Sequence, residues 1–192
     1  MTRIPFPTRL GPARRAALAA SRALFGKDLE PSRLAAHHGG IFWRTLAHEG
    51  GLMTMRHRLP RPLRDLVLQR AAVTIGCPWC IDFGAMLALR EGLTPERILA
   101  VPDYASSDLF TAVEKRAMAY ADAMTATPPT VTDAQVAELR EDLGDAGVVE
   151  LTFLVALENH RSRINHALGL TSQGFTDAAV CALPSSQPQS QR

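Results

Sequence analysis

The sequence has few cysteines, few aromatic residues and no long apolar run. Three cysteines occur among 192 residues, too few for a disulfide framework in a chain of this size. Aromatic residues make up 6% of the chain, and no apolar run approaches the roughly 18 residues that a membrane-spanning helix needs. Arg14, Arg15 and Arg22 interrupt the N-terminal segment, so a signal peptide is not indicated. We therefore expect a protein of the reducing cytoplasm without a membrane partner.

A large field of charge of one sign is also missing. The 21 basic and 19 acidic residues are interspersed along the chain and give a formal net charge of +2. A short basic cluster runs from Arg56 to Arg64, but prolines break it and no aromatic residues alternate with it for base stacking. We expect no nucleic-acid partner.

Helical periodicity is abundant. Apolar residues recur every three or four positions between Pro and Gly residues, and no stretch alternates convincingly as a strand would. The pattern predicts an all-α protein with a first helix over 12–25, a second over 35–52, a third from Pro60 to about Gly76, and others reaching 168. We expect an N-terminal helical arm over 1–55, a helical domain over 56–170 and a tail over 171–192, disordered or loosely docked from Ser185.

The sequence Cys77-Pro-Trp-Cys80 stands at the predicted start of a helix. With Cys77 as N-cap, Pro78 takes the first helical position, where its missing N–H costs nothing. A helix N-terminus stabilises a thiolate and lowers the thiol pKa, which favours Cys77 as the more acidic cysteine. Two intervening residues also allow the sulfurs to form a disulfide, so the pattern predicts a reactive pair.

Two other interpretations of the pair remain open. A structural zinc site needs about four Cys or His ligands. The remaining candidates are scattered, with no second CxxC and no HxxxH pair: His37, His38, His57, His160, His166 and Cys181. We therefore expect neither a metal nor another cofactor. The second interpretation is inert packing, because free cysteine is among the most buried residue types.

Residues 63–93, LRDLVLQRAAVTIGCPWCIDFGAMLALREGL, and 110–169, from FTAVEKRAMAYADAM to RSRINHALG, carry a family resemblance. In this order they resemble the carboxymuconolactone decarboxylase family in its AhpD-like alkylhydroperoxidase branch. The resemblance implies an AhpD-like, all-helical domain that assembles into dimers or trimers. It also implies reduction of a small hydroperoxide, with an external dithiol restoring the enzyme.

The resemblance assigns roles to individual residues. It makes Cys80 the peroxidatic nucleophile and Cys77 the resolving cysteine. The acidic member of its proton relay lies twelve positions before the first cysteine, where this chain has Asp65. The relay histidine is expected four positions after the second cysteine, where this chain has Gly84.

Five further side chains are candidates for a supporting role. Trp79 adds bulk and one N–H donor but cannot titrate. Asp82 lies in the first helical turn, where a carboxylate also simply favours the helix dipole. Glu158, Arg161 and Asn165 follow the apolar stripe of the last helix, as a pocket lining or as a polar network at a subunit interface.

Two other functions are compatible with the sequence. One is a carboxymuconolactone decarboxylase-like lyase, against which the paired cysteines argue. The other is a non-catalytic redox-sensing or interaction oligomer, which the glycine at position 84 favours. The preferred hypothesis is a thiol-dependent peroxide reductase that uses Cys77 and Cys80.

Overall fold

A computed structural model describes residues 2–177, and within this range all regular secondary structure is helical. The all-α prediction is confirmed for these residues. The helices are α1 (Pro12–Phe25), α2 (Glu30–Ala35), α3 (Gly39–Thr54), α4 (Arg61–Ile75), α5 (Pro78–Arg90), α6 (Pro95–Leu99), α7 (Ala112–Thr125) and α8 (Asp133–Ala167), with a 3₁₀ turn at Val101–Asp103. The predicted loose tail from Ser185, like Cys181, lies outside the described residues.

The chain divides into two compact units. The first contains residues 1–56 together with 168–170, and Leu18, Ala36 and Phe42 form its hydrophobic cluster. The second contains, among the described residues, 57–167 and 171–177, and it holds both cysteines of the pair. None of the helices in residues 2–177 is both long enough and apolar enough to cross a membrane.

Helix boundaries follow local chemistry. Five helices carry a proline in their first turn, where the missing N–H leaves no intrahelical bond unmade. The helix predicted over 35–52 corresponds to α3, but its start is misplaced, because α3 begins at Gly39. The cause is local: Nδ1 of His38 accepts the N–H of Ile41 at 3.2 Å and caps a new helix there.

Glycines set two further breaks. Gly76 ends α4 in the left-handed conformation, with φ of 75°, and so lets α5 begin two residues later. Gly144, with φ of 69° and ψ of 169°, interrupts α8 and divides it into two halves. The second half of α8 then runs to Ala167 as one uninterrupted rod. Its inward face therefore has a fixed direction where it meets the cysteine pair.

Helix α4 is the centre of the second unit, where it packs against α5, α7 and α8. Their interface is apolar and almost fully buried. It includes Leu66, Val67, Ala71, Ile81, Met118, Leu151 and Val155. Burying a side chain of this kind stabilises the fold by about 1.5–3 kcal/mol. The result is a rigid support for the start of α5.

A polar cluster ties α4 to α7. Nε of Arg70 lies 2.7 Å from Oδ1 of Asp122, and the hydroxyl of Thr74 donates to the same oxygen at 2.8 Å. The phenol of Tyr104 donates to the other carboxylate oxygen at 3.0 Å. Burial, followed by the negative charge of Asp122, raises the pKa of Tyr104 to about 12. This cluster holds α4 in register.

Candidate functional site

The two cysteines lie at the N-terminus of α5 as free thiols. Cys77 is the N-cap, and its Sγ accepts the backbone N–H of Cys80 at 3.3 Å. Cys77 is fully buried, whereas Cys80 is 7% exposed. The predicted position at a helix start is therefore correct, and Cys80 is the more exposed residue of the pair.

Helix α8 brings a row of polar side chains to the same place. Nδ2 of Asn165 lies 3.2 Å from Sγ of Cys80, although 85 residues separate them in the chain. Ser162 is fully buried, and its hydroxyl donates to Oε1 of Glu158 at 2.7 Å. Nη1 of Arg161 lies 3.6 Å from the other oxygen of Glu158. The structure therefore collects the polar stripe that the sequence indicated on α8 around the thiols.

The pair has an asymmetric electrostatic environment. A hydrogen bond from the Cys80 thiol lowers the pKa of Cys77, although burial opposes this effect. The same hydrogen bond raises the pKa of Cys80, and burial and the charge of Glu158 raise it further. In the resting pair, negative charge is therefore more stable on Cys77. This agrees with the expectation from helix capping.

Asp65 lies on α4 and is partly shielded from solvent. Nε of Arg61 lies 3.4 Å from its Oδ2. Burial raises the pKa of Asp65, while the charges of Arg61 and Arg64 lower it in part. A carboxyl with a raised pKa can exchange protons closer to neutral pH. Its assignment as a relay acid stays a prediction, since its described contacts lead to arginines and not to sulfur.

Position 84, where the resemblance expects a histidine, is filled from α4. Gln69 is 2% exposed, and its Nε2 donates to the carbonyl of Ile81 at 3.2 Å. A Cβ built on Gly84 would lie 2.6 Å from Oε1 of Gln69, closer than real Cβ contacts allow. The amide of Gln69 therefore takes the space in which any side chain at position 84 would begin.

Asp82 anchors the segment that follows α8. We call residues 171–176 the C-terminal strap. The Asp82 carboxylate is fully buried and accepts backbone N–H groups of Gln173, Phe175 and Thr176 at 2.9–3.0 Å. Hydroxyls of Ser172 and Thr176 add two further bonds. Burial alone would raise the pKa of Asp82, but these donors outweigh it and lower the pKa.

Trp79, between the two cysteines, also contacts the strap. Its Nε1 donates to Oε1 of Gln173 at 2.6 Å. Its ring stacks on Phe83 with centroids 4.8 Å apart, and Phe175 packs edge-on against both rings. Asp82 and Trp79 thus fix the strap against the first turns of α5.

Ser162 shares a helix face with Glu158 and Asn165, and its spacing places it on the polar stripe of the last helix. Two other residues of this region are not marked as site residues by any local pattern. Gln69 and Gln173 could not be found in this way, because their partners lie on other segments of the chain. Within the described part of the chain, no three His, Cys, Asp or Glu side chains gather as a metal centre would require.

These features define an all-α protein with a buried thiol pair at a helix N-terminus, faced by polar side chains of a long second helix. The model of the carboxymuconolactone decarboxylase family matches residues 40–123. The uncharacterized protein YnjA of Escherichia coli (strain K12) is 32% identical over 163 residues, which are 85% of this chain and 87% of that protein. The chain belongs to the carboxymuconolactone decarboxylase family.

Two solved structures share the fold. The AhpD core of a peroxidase-related protein from Ralstonia eutropha JMP134 has a TM-score of 0.80 at 17% identity, covering 91% of this chain and 94% of that one. The debrominase Bmp8, as a variant in complex with 2,3,4-tribromopyrrole, has a TM-score of 0.78 at 16% identity, covering 95% of this chain and 97% of that one. At these identities the likeness defines the fold of this chain.

Proposed function

We propose that the protein is a thiol-dependent peroxide reductase that uses Cys80 as nucleophile and Cys77 as resolving cysteine. The observation that carries the proposal is the arrangement of two free thiols at a helix N-terminus, with the backbone N–H of Cys80 donating to Sγ of Cys77 and Nδ2 of Asn165 3.2 Å from Sγ of Cys80. Family membership supports it. A small hydroperoxide is the proposed substrate, because Cys80 is only 7% exposed.

The chemistry balances as two displacements. Sγ of Cys80 attacks the terminal oxygen of ROOH, the O–O bond breaks, and ROH leaves with the thiol proton, which leaves a sulfenic acid on Cys80. Sγ of Cys77 then attacks the Cys80 sulfur, and the hydroxyl group leaves as water with the proton of Cys77. An external dithiol supplies two electrons and two protons to reduce the disulfide. We propose an oligomer as the working form, as the family resemblance implies.

The roles of the two cysteines are separable by experiment. All variants carry Cys181→Ser as a common background, so that thiol loss refers to the pair alone. Treatment with hydrogen peroxide should convert both thiols of this parent to a disulfide. Cys77→Ser should accumulate a sulfenic acid on Cys80, trapped by dimedone and located by mass spectrometry. Cys80→Ser should react far more slowly.

The outcomes discriminate among the functions. Retention of both thiols in the parent under peroxide would reject the proposal. A sulfenic acid on Cys77 in the Cys80→Ser variant, formed as fast as in the parent, would exchange the two roles. Disulfide formation without turnover by any dithiol would indicate a sensor, and lactone decarboxylation that survives both Cys→Ser changes would indicate a lyase.

A further inference from the structure

The buried Ser162 connects the thiol pair to a carboxylate. It lies one helical turn after Glu158 on α8 and donates its hydroxyl proton to Oε1 at 2.7 Å. The same hydroxyl lies close enough to the pair to lower the pKa of both Cys77 and Cys80. A serine hydroxyl can donate one proton while accepting another, so it can pass a proton between two partners. Ser162 therefore lies beside the thiols and is hydrogen-bonded to Glu158, on the face of α8 from which Asn165 contacts Sγ of Cys80.

A proton transfer from a thiol to Glu158 is also reasonable on electrostatic grounds. Glu158 is 7% exposed, and two negative charges in one buried cluster repel each other strongly. A proton that moves from a thiol to the Glu158 carboxylate keeps one negative charge in the cluster and merely relocates it. Such a shift avoids the cost of creating a second buried charge.

We propose that Glu158, acting through the hydroxyl of Ser162, takes up the proton of the attacking thiol and returns it to the leaving oxygen of the peroxide. Cys80–SH and the Glu158 carboxylate become a thiolate and a carboxylic acid. The thiolate attacks ROOH, the O–O bond breaks, and the carboxylic acid protonates the departing alkoxide through Ser162. The products are a sulfenic acid, ROH and the regenerated carboxylate.

The other acidic groups near α5 are engaged elsewhere. Asp82 accepts five hydrogen bonds from the strap. Asp65 on α4 lies beside Arg61, and position 84 has no side chain at all. Glu158 therefore has the most direct described connection to the sulfurs.

Helices α4, α5 and α8 each contribute charged or titratable groups around Ser162 and Glu158. On α8, Arg161 lies 3.6 Å from Oε2 of Glu158 and favours its ionised form in the resting state. On α5 the facing titratable groups are the two cysteines themselves. On α4, Arg61, Arg64 and Asp65 interact with one another and with Glu91 and Glu150.

Glu158→Gln distinguishes a proton carrier from a passive charge. The substitution removes a negative charge near the thiols, so iodoacetamide should alkylate the pair at lower pH than in the parent. The same variant should react with hydrogen peroxide at least about tenfold more slowly, because the leaving oxygen has lost its proton donor. Ser162→Ala should slow the peroxide reaction as well while shifting the alkylation profile less. In Glu158→Gln, the rate of alkylation should therefore rise while the rate of the peroxide reaction falls.

The experiment measures second-order rates of alkylation and of peroxide reaction from pH 5 to 9 in the Cys181→Ser background. Glu141→Gln, an exposed change earlier on α8, is the matched control, and circular dichroism verifies folding. Peroxide rates that rise with alkylation in Glu158→Gln, or that do not change, would overturn the proposal. Because the inference rests on the proposed function, the alkylation measurement must be decisive by itself. If the alkylation profiles of the parent and of Glu158→Gln superimpose, the proposed role of Glu158 is overturned even when no peroxide reaction is observed. A parent that alkylates normally but leaves peroxide intact overturns the proposed function instead.

Discussion

Oε1 of Gln69 lies 2.6 Å from the position that a Cβ on Gly84 would occupy, so the two residues cannot both carry full side chains in this packing. The contact joins α4 to α5 one helical turn after Cys80. A histidine there would require the buried amide of Gln69 to move and to lose its bond to the carbonyl of Ile81.

Gly84→Ala tests this contact, because its effect on the free energy of unfolding should change sign when the Gln69 side chain is removed. In the parent, the displaced Gln69 amide loses a buried hydrogen bond, at a cost of about 1–3 kcal/mol. In a Gln69→Ala background the clash is gone, and the same substitution should stabilise the helix by up to about 1 kcal/mol. Urea unfolding of the four proteins measures the coupling. Equal effects of Gly84→Ala in both backgrounds would show that the two side chains do not compete.

Asp82→Asn tests the anchor of the C-terminal strap. The amide keeps one acceptor but places N–H donors against other donors, so we expect a loss of about 1–3 kcal/mol in unfolding free energy at pH 7. Because the pKa of Asp82 is lowered in the fold, its contribution is present above the unfolded pKa of about 3.9 and is lost as pH falls through the folded value. The difference between parent and variant should therefore shrink in acid, as measured by urea unfolding from pH 7 to 3. A difference that stays constant with pH would point to packing and not to charge.

Asn165→Ala tests the amide that faces the accessible sulfur. Removal of a hydrogen-bond donor to the Cys80 thiolate should raise its pKa and cost about 1 kcal/mol, or roughly a fivefold slower alkylation of Cys80 at pH 8. Asn165→Asp keeps the size of the side chain but adds a negative charge, and it should slow alkylation further. Peptide mapping after brief iodoacetamide treatment gives the rate at each cysteine. Faster alkylation of Cys80 in Asn165→Asp than in Asn165→Ala would contradict the contact.

Asp122→Asn tests the cluster that joins α4 to α7. With the carboxylate charge removed, the pKa of Tyr104 should fall from about 12 towards its ordinary value of about 10. Tyr120→Phe, made in both proteins, leaves Tyr104 as the one tyrosine whose ionisation changes ultraviolet absorbance. An unchanged titration would mean that burial alone accounts for the shift.

Local features of the sequence predicted much of the fold. Pro78 and Gly76 placed the boundary between α4 and α5 correctly, because each residue restricts the backbone irrespective of distant contacts. The start of α3 was missed, because its cap is a histidine side chain, which is an uncommon N-cap.

The candidate site was predictable only in part, because its residues are far apart in the sequence. The spacing of Glu158, Arg161 and Asn165 on one helix showed that they share a face. That this face meets Cys80 depends on how α8 packs, which no local pattern encodes. The role of Asp82 was still less accessible, since its five bonds reach a segment about 90 residues away without regular secondary structure.

Trp79 lies between the two sulfurs in sequence and donates its indole N–H to Gln173. Indole emission responds to the polarity and hydrogen bonding of the ring, and thiols and disulfides quench it to different extents. The chain has two tryptophans, so Trp43→Phe isolates this one. The protein thus carries its own fluorophore beside the candidate reaction centre, and the proposed dithiol–disulfide cycle should be visible as a change in its emission without a label.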